Sequence, residues 1–340
     1  MSLANKAFSI FQRDLFLYVT RLATGIIVAR TLGPATFGIW IIMSMVPSYA
    51  EAFGRTKADV GAVYFLGQKT FRREDVLTNL NIIALTSTAL ILAVIWWQFE
   101  FIYAWLFENE PDDSRLYIKI LLIQIPLQFF FLNYSYFHIS EENIRVYNRM
   151  ILIQGWMNSI IGITLLTFTS LGILSLILGI LTGTSLALFY GWYSIDRTGW
   201  EAGKPSKQVS YSMLRYSFHL YITGIIGHFQ ESGTQLFAVS YLVPAQMGFL
   251  SQGLGFGKLM HKLVDPISTI LYPRISRSEE GVALETTCKA FRTSALVMGS
   301  CGLVMAIIAE PLIIFLYGEA YQPTAKVVLM LLPSLVIAGV

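Results

Sequence analysis

Apolar residues in this chain come in blocks of roughly twenty. A helix rising about 1.5 Å per residue needs that length to cross a hydrocarbon layer about 30 Å thick. Only 13% of the residues are charged and 55% are hydrophobic, with a mean hydropathy of +0.59. A soluble globular domain carries about 25% charged residues, so this chain cannot cover a water-facing surface and the blocks read as membrane spans. Runs long enough to span occur at 7–31, 37–54, 76–107, 116–140, 150–169, 171–195, 216–242, 244–271, 290–309 and 325–340. Ten membrane helices in an all-α polytopic protein are therefore expected.

The charges set the orientation. With the N-terminus in the cytoplasm, seventeen of the 24 Lys and Arg fall at the N-terminus or in cytoplasmic connections, four fall outside, and three remain inside helices. That bias satisfies the positive-inside rule, and the inner (plasma) membrane is the expected location. The acidic run Glu108-Asn109-Glu110-Pro111-Asp112-Asp113 then lies outside. The first apolar segment is interrupted by Arg13, Asp14 and Arg21 and lacks a small-residue cleavage pattern, so it reads as a retained helix rather than a secretory signal. Cys288 and Cys301 lack partners at metal-ligand spacing.

Leu32-Gly33-Pro34-Ala35-Thr36-Phe37-Gly38, between the first two helices, recurs as Leu242-Val243-Pro244-Ala245-Gln246-Met247-Gly248 between the seventh and eighth, at an offset of 210 residues. Leu106-Phe107 matches Leu316-Tyr317 at the same offset. Six helices separate equivalent points, so the halves run the same way through the membrane and are related by an axis along its normal. The expected organisation is an N-terminal six-helix lobe over 1–200, a cytoplasmic linker over 201–215, and a C-terminal lobe over 216–340. That second lobe holds four helices, so ten of about twelve are expected in the chain and the second lobe is read as truncated.

Three short motifs resemble a known family: Ala29-Arg30-Thr31-Leu32-Gly33-Pro34 with Phe37-Gly38, Leu271-Tyr272-Pro273-Arg274-Ile275-Ser276, and Leu316-Tyr317-Gly318-Glu319-Ala320-Tyr321. In this order they are similar to polysaccharide flippases of the O-antigen and teichoic-acid type, within the multidrug/oligosaccharidyl-lipid/polysaccharide exporter superfamily. Met247-Gly248-Phe249 departs from the family's usual Val-Gly-any-Tyr. The resemblance implies two six-helix lobes around a V-shaped cavity and alternating access. It also implies an undecaprenyl-diphosphate-linked oligosaccharide as cargo. Membrane lipids, and the glycosyltransferases and polymerase of the same pathway, are the implied partners; nucleic acid is not.

Ionisable groups at membrane depth cost about 2.5 to 3.5 kcal/mol each on insertion scales, so they face protein or water and mark pathways. Arg21, Lys258 and Lys262 are the three cations left inside helices, and they are the candidates to hold the diphosphate through charge-assisted contacts. His228, Glu231 and Gln235 share one helix face by their spacing. The 210-residue offset carries Arg21 onto Glu231, so both are expected at the central cavity, with Glu231 and His228 as the site of a coupling proton or cation. Arg21 with Glu231, or Lys258 with Asp265, could instead be structural ion pairs. Arg13, Asp14, Glu51 and Lys57 lie near the cytoplasmic face as a candidate gate, with snorkelling to headgroups as the alternative. Trp96-Trp97 and Trp192-Tyr193 suit the interfacial aromatic belts. Pro47 and Pro126 are placed to kink their helices.

A multidrug or cation antiporter of the same fold is the nearest rival function, although three cations at membrane depth favour an anionic cargo. A membrane enzyme on lipid-linked sugars, a polymerase or transferase, would need a long extramembrane loop or a compact acid-base group, and neither is visible. With no nucleotide loop, metal motif or nucleophile grouping, no cofactor and no enzymatic activity are expected, and an ion gradient is the expected driving force.

Overall fold

The computed structural model describes residues 3–107, 113–195, 201–257 and 280–338, and among these every regular element is a helix. In chain order they are α1 (Leu3–Gly54), α2 (Ala58–Gly67), α3 (Arg73–Trp97), α4 (Phe99–Leu106), α5 (Asp113–Leu121), α6 (Gln124–Ser140), α7 (Ile144–Phe168), α8 (Ile173–Tyr193) and α9 (Lys207–Ala238). Residues 244–257 form α10. α11 (Glu280–Tyr317), a 3₁₀ turn (Glu319–Tyr321) and α12 (Pro323–Ala338) follow. Among the described residues seven helical segments are long and apolar enough to cross a membrane, and side chains such as Phe168, Ile307 and Met330 stand exposed, as they do where the solvent is lipid.

α1 supplies two of the expected spans, broken at Gly33, whose φ of 72° and ψ of 170° suit a residue without Cβ. Pro34 follows it, and its ring removes the donor a continuous helix would need. The expected third span divides at Gln98 into α3 and α4, and the fourth divides at Leu122 and Ile123 into α5 and α6. α9 starts at Lys207 rather than at Tyr216, because the Ser206 side chain accepts from Val209 N and caps it. α2 occupies a stretch expected to be a loop; ten residues are too few to span.

Contacts divide the chain into two compact units, Met1–Thr31 with Ile42–Tyr241, and Leu32–Ile41 with Leu242–Val340. In the first unit α7 and α8 share the most extensive contact, with Gly179-Ile180-Leu181-Thr182-Gly183 at the seam. A Cβ on Gly179 would come within 2.7 Å of Asn158 O, and one on Gly183 within 2.6 Å of Asn158 N. Small residues four apart let membrane helices approach in this way, where dispersion rather than water exclusion drives packing. Leu77, Phe131, Phe137, Met150 and Ala187 build the core that ties α3 and α6 to this pair. Ala58, Ala62, Val76, Leu80, Val209 and Met213 join α2, α3 and α9.

A polar strap fastens the start of α9 to α3. Asn79, 1% exposed, donates to Asp75 O at 2.7 Å and to Lys204 O at 3.0 Å. Its own oxygen accepts from Ser206 N and from Ser210 Oγ, both at 2.9 Å. Asp75 Oδ1 accepts from Lys204 N at 2.7 Å, and Arg72 pairs with Glu201 at 2.8 Å. At Gly203 there is no room for a side chain, since a Cβ there would collide with Glu74 O and Thr78 Oγ1.

In the second unit the repeated junctions meet each other. A Cβ on Gly38 would collide with the Pro244 carbonyl, and one on Gly248 would lie 2.6 Å from Pro34 O. The offset of 210 residues turns each of these contacts into the other. Tyr321, 1% exposed, sits among Phe37, Phe249 and Tyr317 with ring centroids 6.4, 6.0 and 5.6 Å away. Two of the three motifs quoted for the family therefore share one core. The third, with Leu271 to Ser276, lies outside the described residues.

Candidate functional site

Three groups of the charges singled out in the sequence fall in the first unit. The first is on α1 and α9. Arg21 and Glu231 are both exposed, and among the described residues neither makes a hydrogen bond or an ion pair. The structural pairing of these two is therefore not formed. His228 is half-buried with its ring edge-on to Tyr49, centroids 4.6 Å apart at 85°. Tyr49 and Phe53 also meet Phe229 at 5.7 and 5.8 Å, and the Tyr221 hydroxyl donates to Phe53 O at 2.7 Å. This aromatic contact holds α9 against the second half of α1. α9 is 32 residues long but is not among the apolar spans, because Lys207, Arg215, His219, His228 and Glu231 interrupt it.

The second group joins α1 to α7. Arg13, 8% exposed, donates to Asn148 Oδ1 at 2.8 Å and pairs with Asp14 at 2.7 Å. Its guanidinium carbon lies 4.8 Å from the Tyr147 ring centroid, and Asn148 Nδ2 donates to Ser9 Oγ at 2.8 Å. Asp14 itself is exposed. Arg13 is thus held in protein contacts.

The third group forms the elbow between α1 and α2. Glu51 stands 3.7 Å from Arg55, which pairs directly with Asp59 and lies over the Tyr136 ring at 5.4 Å. Asp59 is 2% exposed, and among the described residues Asp59 Oδ1 and Arg55 Nε lack hydrogen-bond partners. Lys57 closes the elbow in the left-handed region, with φ at 57°. Burial, and after it the neighbouring Arg55 guanidinium, pushes the Lys57 ammonium below its usual pKa.

The structure thus separates the proposed gate residues, placing Arg13 and Asp14 in one cluster and Glu51 and Lys57 in another. Lys258, Lys262 and Asp265 lie outside the described residues. The sequence reading missed Arg55 and Asp59 as a pair. The signal is present as Glu51, Arg55 and Asp59 at i, i+4 and i+8, but in the sequence Arg55 counts only as one of the seventeen cytoplasmic Lys and Arg. Asn79 was missed because a single amide in an apolar run carries no pattern. No group of three or more metal-ligating side chains occurs among the described residues.

The fold has relatives of known structure. The lipid II flippase MurJ in an inward closed conformation superposes with a TM-score of 0.72 at 17% identity, covering 99% of this chain and 73% of that one. An inward-facing multidrug resistance MATE family transporter of the MOP superfamily gives 0.68 at 14% identity, covering 95% and 78%. The bent form of the Vibrio cholerae MATE transporter VcmN gives 0.59 at 15% identity, covering 99% and 82%. At these identities the likeness is one of fold, all-helical and multi-pass. No curated protein sequence matches the chain. Residues 27–326 match the polysaccharide biosynthesis protein family model, and the chain belongs to that family.

Proposed function

We propose that the protein moves an undecaprenyl-diphosphate-linked oligosaccharide from the cytoplasmic to the outer leaflet by alternating access, driven by an ion gradient. The observation that carries this reading is Arg21. It lies within the first apolar segment, Ser9–Gly54, yet it is exposed and makes no ion pair among the described residues. An uncompensated cation facing hydrocarbon would cost about 2.5 to 3.5 kcal/mol, so its place is a water-filled path where an anionic cargo can pair with it. Glu231, exposed on the polar helix α9, suits the same path as the binder of a proton or cation, with His228 beside it. Lys258 and Lys262 join Arg21 in holding the diphosphate. The family's polysaccharide biosynthesis assignment and the likeness to a lipid II flippase support a lipid-linked sugar as cargo. The proposed setting is the inner membrane with the N-terminus cytoplasmic.

The likeness to multidrug transporters supports a second reading, efflux of organic cations. Proteoliposomes holding the purified protein separate the two. The proposal expects transfer of an undecaprenyl-diphosphate oligosaccharide to the opposite leaflet, read by its accessibility to an external lectin, and no gradient-driven movement of ethidium. Ethidium transport without lipid transfer would overturn it.

A further inference from the structure

Away from the charges of α1 and α9, the first unit carries an apolar groove of about 720 Å³ between the end of α3 and the break between α5 and α6. Its walls are Leu92, Ala93, Trp96 and Trp97 on one side and Leu122, Ile123 and Pro126 on the other. The break itself opens it. Pro126 has no N–H to offer the Leu122 carbonyl, which Ile125 N bonds instead at 3.1 Å. α5 therefore ends at Leu121 and α6 starts again at Gln124.

One cation stands at the mouth. Lys119 Nζ lies 5.6 Å from the Trp96 ring centroid and 5.2 Å from that of Phe99. Among the described residues it has no carboxylate partner. Its neighbour Arg115 is already matched, 3.2 Å from Glu100. Trp96 and Trp97 are 65% and 81% exposed, at the end of a membrane span, the depth where amphipathic rings meet headgroups.

We infer that this groove binds one acidic glycerophospholipid, with an acyl chain between α3 and α6 and the headgroup phosphate on Lys119. The charge argues for this occupant. An apolar trough at membrane depth takes a hydrocarbon chain, and a lone ammonium over aromatic rings selects an anionic head over a zwitterionic one.

Tryptophan fluorescence reads the site directly. The full chain is placed in bilayers of phosphatidylcholine with 20 mol% of either dibromo-phosphatidylglycerol or dibromo-phosphatidylcholine, because bromine on the acyl chain quenches a tryptophan it touches. Trp96 and Trp97 contribute the part of the quenching that Trp96→Phe with Trp97→Phe removes. The expected result is about threefold more quenching of that part by the acidic lipid. Lys119→Gln should abolish the excess, and Lys119→Arg should keep it. Equal quenching by the two lipids would overturn the inference; pairing of Lys119 with the acidic 108–113 stretch would give that result. An excess that survives Lys119→Gln would overturn it too. So would displacement of the brominated lipid by equimolar undecaprenyl phosphate but not by unlabelled phosphatidylglycerol.

Discussion

Asp59 and Arg55 illustrate how little one residue reveals until its neighbours are placed. Read alone, Arg55 is a topology charge after the second span; in the fold it is sealed between Glu51, Asp59 and the Tyr136 ring. A buried pair resists the loss of one partner more than it rewards the presence of both. Asp59→Ala strands the guanidinium and is expected to cost about 3 to 5 kcal/mol. Glu51→Gln, removing a longer and more exposed partner, should cost under about 1 kcal/mol. Thermal unfolding of the purified variants in one detergent checks the order: Asp59→Ala should melt clearly below Glu51→Gln, and equal melting temperatures would contradict a buried pair. Arg21 is the opposite case. Its oddity was legible at once, because a charge inside an apolar block needs no three-dimensional information to stand out.

Among the elements, what could be read followed length and hydrophobicity, and what could not followed local hydrogen bonding. α8 lies within two residues of its apolar run at both ends, and α7 ends within one residue of its run but begins six residues early. α9 begins nine residues early, because Lys207, Gln208 and Ser210 look like linker although Ser206 caps them. Asn79 explains why that start is fixed. Asn79→Ala would take a hydrogen-bond partner from Ser206 N and from Lys204 O, both only part-buried contacts, at about 0.5 to 1.5 kcal/mol for each bond. The expected outcome is a strap freed from α3, seen as faster trypsin cleavage after Lys207 with α7 and α8 intact. Unchanged cleavage would show that Asn79 does not hold it. The α5–α6 break was legible only as a kink at Pro126; the groove beside it needed the position of α3.

At the level of the molecule, the 210-residue repeat was the deepest thing the sequence disclosed, and the second unit gives it a physical form. Gly38 meets Pro244 as Gly248 meets Pro34, a reciprocal contact of the kind two related halves make about an axis. Backbone on the far side leaves no flexible atom to yield, so Gly38→Ala and Gly248→Ala should each cost about 1 to 3 kcal/mol of overpacking. Both melting temperatures should fall, that of Gly38→Ala at least as far, since its Cβ would come nearer the facing carbonyl. A loss in one and none in the other would break the symmetry. The proposed path is legible in the sequence only as charges spaced along helix faces, because exposure and ion pairing are properties of the fold.

The most direct test of the proposed path is Arg21 itself, in a strain lacking its own flippase and scored by the polysaccharide reaching the cell surface. If Arg21 meets an anionic cargo, Arg21→Ala loses a charge-assisted contact of about 1.5 to 3 kcal/mol, or about tenfold or more in rate. Arg21→Lys keeps most of the activity, and all variants reach the membrane in equal amounts. Parental levels of surface polysaccharide with Arg21→Ala would contradict the account.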